Sequence, residues 1–184
     1  MLSPLAPALQ VVLLLVAILS GAFDIRSRRI PNWLTVTGLM LGVGLNVFLY
    51  FGAGLRLAGL GFALAFTVYL LLYLLRAMGP GDVKLMAALG SIVGPGNWLV
   101  IFIFSALLGG ITALVLVLFR GRLQKTLWNM GYILSEMIRL RAPYLTREEL
   151  DVRSSKALRL PHGAVIAAAV LLFLACQLAV SSGG

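Results

Sequence analysis

Residues 79–97 read GPGDVKLMAALGSIVGPGN, an apolar stretch held between two Gly-Pro-Gly groups. Residues 82–93 can form a helix before the second group interrupts it, and at 1.5 Å per residue this helix is about 18 Å long. The hydrocarbon layer of a bilayer is about 30 Å thick. If the helix reaches the far face, Asp82 at its start lies below the near surface. We therefore expect a water-filled cavity with Asp82 at its base.

The group that precedes this helix is predicted to shape the site. Proline has no backbone N–H and glycine favours irregular backbone, so Gly79, Pro80 and Gly81 are not expected to extend the helix. Irregular backbone at membrane depth is tolerated only where protein buries it or water solvates it. The same cavity would satisfy this requirement.

The rest of the chain is apolar enough to surround such a helix with others. It is 61% hydrophobic and 11% charged, with a mean hydropathy of +1.03. These values predict an all-α integral membrane protein with a single domain over residues 1–184. The sequence indicates about six transmembrane helices. Their approximate positions are 5–23, 32–51, 55–75, 83–94, 97–119 and 163–180.

The basic residues predict how this bundle is oriented. With both termini outside, Arg56 alone of the 15 lysines and arginines falls on the outer side. This asymmetry explains the net charge of +9 as membrane topology, so a nucleic-acid partner is not expected. The loop 120–161 holds nine of the basic residues and has apolar residues at helical spacing. It is predicted to be an amphipathic helix on anionic cytosolic lipid.

Two aspartates stand out against this background. Asp24 and Asp82 are the only acidic residues among the first 135, and each borders an apolar run. A charged side chain at the centre of a membrane helix costs about 2.5–3.5 kcal/mol on insertion scales. The predicted topology places both at the cytosolic face. Two such carboxylates can share one proton and activate a water molecule for attack on a peptide carbonyl.

Three sequence stretches resemble the bacterial type IV prepilin leader peptidases, which are intramembrane aspartic proteases. GPGDVKLMAALG at residues 79–90 is similar to their GxGD signature, and DIRSRRIPN at residues 24–32 to their first-aspartate motif. A weaker match is LPHG at residues 160–163. The resemblance implies a catalytic pair, Asp24 and Asp82, in the bacterial cytoplasmic (inner) membrane. It also implies cleavage, without cofactor or metal, of the basic leader that precedes the hydrophobic helix of a prepilin or pseudopilin.

The length of the chain indicates which members of this family it resembles. Larger members carry a cytosolic loop with paired CxxC motifs and also methylate the new N-terminus. This chain has one cysteine, Cys176, and no such loop. It resembles the short members associated with Flp or tight-adherence pili, so methyltransferase activity is not expected.

Three neighbouring residues have more than one interpretation. Lys84 lies about 200° around the helix from Asp82, so it is predicted to extend to the interface, with a site-tuning role as the alternative. Arg28 is one turn after Asp24 and could pair with it, although topology is its simpler role. His162 could act as a general base, but a lone histidine at a helix entrance is more often interfacial.

Two other functional classes are compatible with buried aspartates. A proton-coupled carrier would use them as relays, which favours acids at mid-membrane depth and repeat symmetry. A non-catalytic scaffold would use them to satisfy backbone or arginine groups. Substitution of each aspartate by asparagine distinguishes these alternatives from a protease, because only a protease loses peptide cleavage.

Overall fold

The fold is a bundle of α-helices. A computed structural model describes residues 4–75, 77–119 and 161–182. The helices are α1 (Pro7–Ser27), α2 (Asn32–Leu74), α3 (Pro80–Phe119) and α4 (His162–Ser182). The predicted helical fold is confirmed over the described residues, and all four helices have the length and hydropathy to cross a membrane. The predicted amphipathic helix of the 120–161 loop falls almost entirely outside the described residues.

The predicted number of six separate helices is not supported. The described residues form four helical elements, and in α2 and α3 two helical limbs are joined at a single non-helical residue rather than through a loop. Phe51 in α2 and Gly94 in α3 have positive φ angles of 51° and 75°, and helical backbone continues on both sides of each. These two reversals fall at the ends of the predicted segments 32–51 and 83–94.

The bend at Phe51 folds α2 into a hairpin. As a straight helix its 43 residues would span about 65 Å, roughly twice the hydrocarbon thickness. Instead, a Cβ placed on Gly54 would overlap the backbone carbonyl of Asn46. In a straight helix these two residues would lie more than two turns apart. The contact therefore requires the limb formed by residues 32–50 to lie against the limb formed by residues 52–74.

The bend at Gly94 folds α3 in the same way. Pro95 follows Gly94 and cannot donate the next helical hydrogen bond. Gly109, in the second limb, lies beside the His162 ring, because a Cβ built on it would be 3.7 Å from His162 Cε1. The second limb of α3 therefore returns to the end of the bundle at which α4 begins.

The first limb of α3, residues 80–93, is the centre of the bundle. Every residue from Leu85 to Gly94 is buried. Close packing depends on glycine, because a Cβ on Gly90 would overlap the Gly61 carbonyl of α2. Small residues that allow backbones to approach are the usual basis of helix association in lipid, where apolar burial gives little advantage.

Asn46 connects the two hairpins. Its side chain is fully buried, and Nδ2 donates to the carbonyl oxygens of Ser91 at 3.0 Å and Ile92 at 3.1 Å. The Ser91 carbonyl would normally accept from the N–H of residue 95, which is a proline. Asn46 therefore satisfies carbonyls that the bend of α3 leaves without a helical partner.

Candidate active site

Asp24 lies in the last turns of α1 and is held by the start of α4. Its side chain is 9% exposed, and its Oδ2 accepts a hydrogen bond of 2.7 Å from the backbone N–H of Gly163. The first N–H groups of a helix have no partner within the helix and carry the positive end of its dipole. Asp24 thus satisfies a donor of α4 from another helix.

The backbones of α1 and α4 approach closely enough to form this bond because small residues line their interface. A Cβ built on Gly163 would lie 3.0 Å from Cβ and Oδ2 of Asp24. One turn earlier on α1, a Cβ on Gly21 would lie 2.9 Å from the Ala167 Cβ. Any side chain at residue 163 would therefore push α4 away from the carboxylate.

Asp82 lies in the first turn of α3. It is half-buried, and its Oδ2 accepts a hydrogen bond of 3.2 Å from the backbone N–H of Gly79. A carboxylate in this position is favoured by the helix dipole. Asp82 therefore caps its own helix, whereas Asp24 receives a donor from a different one.

The predicted role of the Gly-Pro-Gly group changes in one respect. The expectation that Pro80 and Gly81 lie outside the helix is wrong, because α3 begins at Pro80. Proline is well suited to a first helical position, where its missing N–H would have had no partner. Gly79 supplies the N–H that binds Asp82, and Gly81 lies against Ile30, 3.7 Å from the position of a Cβ.

Both carboxylates lie at the same end of the bundle. Asp24 is bonded to the first turn of α4, and Asp82 is close enough to Asp24 and to His162 for electrostatic interaction. The structure therefore brings together the ends of α1, α3 and α4 that carry the predicted pair. The water-filled cavity expected beneath Asp82 stays a prediction.

His162 lies close enough to Asp82 for electrostatic interaction, and it is not exposed as the predicted interfacial residue would be. It is the first residue of α4 and is half-buried, and its Nε2 atom is buried without a hydrogen-bond partner among the described residues. A buried ring nitrogen of this kind is available to a substrate or a water molecule. The sequence feature that pointed to this position of His162 was the LPHG stretch, in which His162 precedes Gly163.

Lys84 contacts the start of α2 and makes no bond to Asp82. Its side chain is exposed, and Nζ donates to Asn32 Oδ1 at 3.0 Å. This bond connects the GPGDVK and IPN stretches. Both residues border a cleft of about 330 Å³ between α2 and α3. Thr35, Val36, Leu39, Phe62, Phe66, Ala87 and Ala88 line the rest of this cleft.

The position of Arg28 does not match the pairing with Asp24 that the sequence allowed. Its side chain is exposed, and the residue adopts a left-handed conformation that ends α1, with φ of 52° and ψ of 30°. Its backbone N–H donates to the Asp24 carbonyl at 2.9 Å. In the part of the chain that the structure describes, Arg28 forms no ion pair with the Asp24 carboxylate.

Across residues 4–75, 77–119 and 161–182 there is no group of three or more His, Cys, Asp or Glu side chains that could hold a metal ion.

The profile of the type IV leader peptidase family matches residues 11–114, which include both aspartates. No curated protein and no solved structure matches the chain. Because the matched segment covers more than half of its 184 residues, this chain belongs to the type IV leader peptidase family.

Proposed function

We propose that this chain is a membrane-embedded aspartic endopeptidase that removes the basic leader from type IV prepilins or pseudopilins. Asp24 and Asp82 are its catalytic pair. The observation that supports the proposal is that each carboxylate accepts a hydrogen bond from a glycine N–H, Asp24 at the start of α4 and Asp82 at the start of α3. Family membership supports the substrate class.

The chemistry requires one carboxylate and one carboxylic acid. The ionised member takes a proton from water, and the water oxygen attacks the peptide carbonyl carbon. The protonated member donates a hydrogen bond to the carbonyl oxygen and then its proton. Such a pair favours this division, because Asp24 is buried and Asp82 half-buried, and two nearby carboxylates resist simultaneous ionisation.

Cleavage takes place at the cytosolic face of the bacterial inner membrane. Arg26, Arg28 and Arg29 are exposed next to Asp24, and basic residues are retained on the cytosolic side. In this arrangement α1 and α4 cross the membrane once and the hairpins of α2 and α3 cross it twice. Both termini then lie outside. Without paired CxxC motifs the enzyme does not methylate its product, as in short Flp-type members.

Cleavage of a prepilin-like peptide by the purified chain tests this function. The wild-type protein in proteoliposomes is expected to release one leader fragment, detected by mass spectrometry. Asp24→Asn and Asp82→Asn are expected to abolish release while melting at the wild-type temperature. Asp151→Asn, which alters the one remaining aspartate, is the matched control and keeps activity.

The same variants distinguish the alternatives. A carrier or a scaffold with non-catalytic aspartates would give no cleavage by the wild-type protein. Full cleavage by either folded aspartate variant would exclude that residue from catalysis and refute the proposed pair.

Orientation is tested separately by thiol labelling. In a Cys176→Ala background, cysteine is introduced at the exposed positions Ser27, near Asp24, and Gly52, at the bend of α2. In inside-out vesicles an impermeant maleimide is expected to label Ser27→Cys and to spare Gly52→Cys. The opposite pattern would place the aspartates at the outer face.

A further inference from the structure

The two aspartates are held by different parts of the fold, and this difference bears on their roles. We propose that Asp24 is the ionised member of the pair and acts as the general base. The backbone amide of Gly163, at the start of α4, holds it in that state. Asp82 then carries the proton and acts as the general acid. This assignment rests on the proposed function and adds Gly163 as a positioning residue.

The hydrogen bonds differ in length. Gly163 N–H donates to Asp24 at 2.7 Å, within the range of charge-assisted bonds, whereas Gly79 N–H donates to Asp82 at 3.2 Å, at the long end for any N–H···O bond. Asp82 lies in the first turn of its own helix, whereas Asp24 lies in the last turns of α1 and meets the N-terminus of α4, so the helix dipoles do not by themselves favour a charge on Asp24. The shorter bond favours the charged form of Asp24.

The surroundings of Asp24 give a second argument. The other charged or titratable groups on its side of the bundle are Asp82 and Lys84 on α3, His162 on α4, Tyr69 and Tyr73 in the last turns of α2, and the arginines that follow it on α1. Arg56, the charged residue of α2 in the described part, lies beyond the bend at Phe51. A single negative charge at Asp24 is stabilised by the Gly163 amide of α4. A second charge at Asp82 would repel it.

The resulting steps balance. Asp24 takes one proton from water as the water oxygen bonds to the carbonyl carbon, and Asp82 passes its proton to the carbonyl oxygen. This gives a tetrahedral gem-diol. As the C–N bond breaks, Asp24 returns its proton to the amine nitrogen and Asp82 takes one proton back from a hydroxyl group. The products are a carboxylic acid and an amine, and both aspartates regain their initial states.

The chain is suited to a direct test because it contains three aspartates. In an Asp151→Asn background, aspartate labelled with ¹³C at the carboxyl carbon gives two signals, which Asp24→Asn and Asp82→Asn assign. At neutral pH the Asp24 signal is expected at the chemical shift of a carboxylate and the Asp82 signal at that of a carboxylic acid. The reverse pattern, or two carboxylates, would overturn the assignment.

Substitution of Gly163 tests the positioning role. Gly163→Ala is expected to displace the Asp24 carboxyl signal, recorded at neutral pH, toward the chemical shift of a carboxylic acid, because the charged form loses one hydrogen bond. Gly110→Ala, where a Cβ has nothing within 4 Å, is the matched control and leaves it unchanged. An unchanged Asp24 signal in folded Gly163→Ala would refute the positioning role.

These measurements need no substrate. Failure of the proposed function would show as absent cleavage by the wild-type protein, whatever the two signals do. Failure of the assignment would show in the spectra of a protein that cleaves normally. If Gly163→Ala does not fold, the wild-type spectrum alone decides which aspartate carries the proton.

Discussion

Replacement of Asn46 by leucine tests how the bend of α3 is stabilised. The side chain donates to the carbonyl oxygens of Ser91 and Ile92, and it is fully buried. Leaving one buried acceptor unsatisfied costs about 1–3 kcal/mol. Leucine gains little in return, because lipid is as favourable for its side chain as the protein interior. The substitution also removes the buried Asn46 Oδ1, which has no hydrogen-bond partner among the described residues, so we expect Asn46→Leu to lower the free energy of unfolding by about 1–3 kcal/mol.

Reversible unfolding in mixed micelles, followed by circular dichroism as the fraction of denaturing detergent rises, measures this loss. Val47→Leu is the matched control, because Val47 is adjacent in sequence and 38% exposed. Its effect is expected within about 0.5 kcal/mol of zero. If Asn46→Leu is as stable as the control, the two carbonyls have another partner and the argument fails.

Further predictions concern the helix contacts and the cleft. Gly90→Ala, whose Cβ would overlap the Gly61 carbonyl, is expected to lower stability by about 1–3 kcal/mol in the same unfolding assay. Gly59→Ala has no atom within 4 Å of its Cβ and is expected to be neutral or stabilising by up to about 1 kcal/mol; equal losses would contradict the packing. Lys84→Met and Asn32→Ala break the same exposed bond, so each is expected to reduce kcat/KM for leader cleavage less than tenfold. A larger loss in Lys84→Met alone would assign Lys84 a role in the reaction.

Several features of the fold could be predicted because they follow from local chemistry. The break near residues 94–97 was predicted from the Gly-Pro-Gly group, because proline lacks an N–H, and the structure places the bend at Gly94. The bend at Phe51 was placed correctly but given the wrong form. A phenylalanine at positive φ is uncommon, so the sequence favoured a short loop over a reversal within one helix.

The contacts that complete the site join residues far apart in the chain. Gly163 is 139 residues from Asp24, and Lys84 is 52 residues from Asn32. Spacing within one segment carries no information on which backbone amide will meet a carboxylate from another helix. The LPHG stretch at the start of α4 indicated a motif, but the bond to Asp24 became visible only in the folded chain.

Asn46 was missed for a related reason. Within its own helix it is one polar residue in an apolar segment, and the carbonyls it satisfies belong to α3. The need for a donor there arises from Pro95, which is distant in sequence. Predicting this contact would have required the register of α2 against α3, which brings the buried asparagine to the carbonyl that lacks its helical N–H donor.

The central claim is that Asp24 and Asp82 act as one catalytic unit. The most direct test is kcat/KM for leader cleavage by Asp24→Asn, Asp82→Asn and the double variant, each shown to be folded. We predict that each single variant loses about 10³-fold or more and that the double variant loses no more than either, because the residues share one step. Near-wild-type activity in either single variant, or losses that multiply in the double variant, would contradict the account.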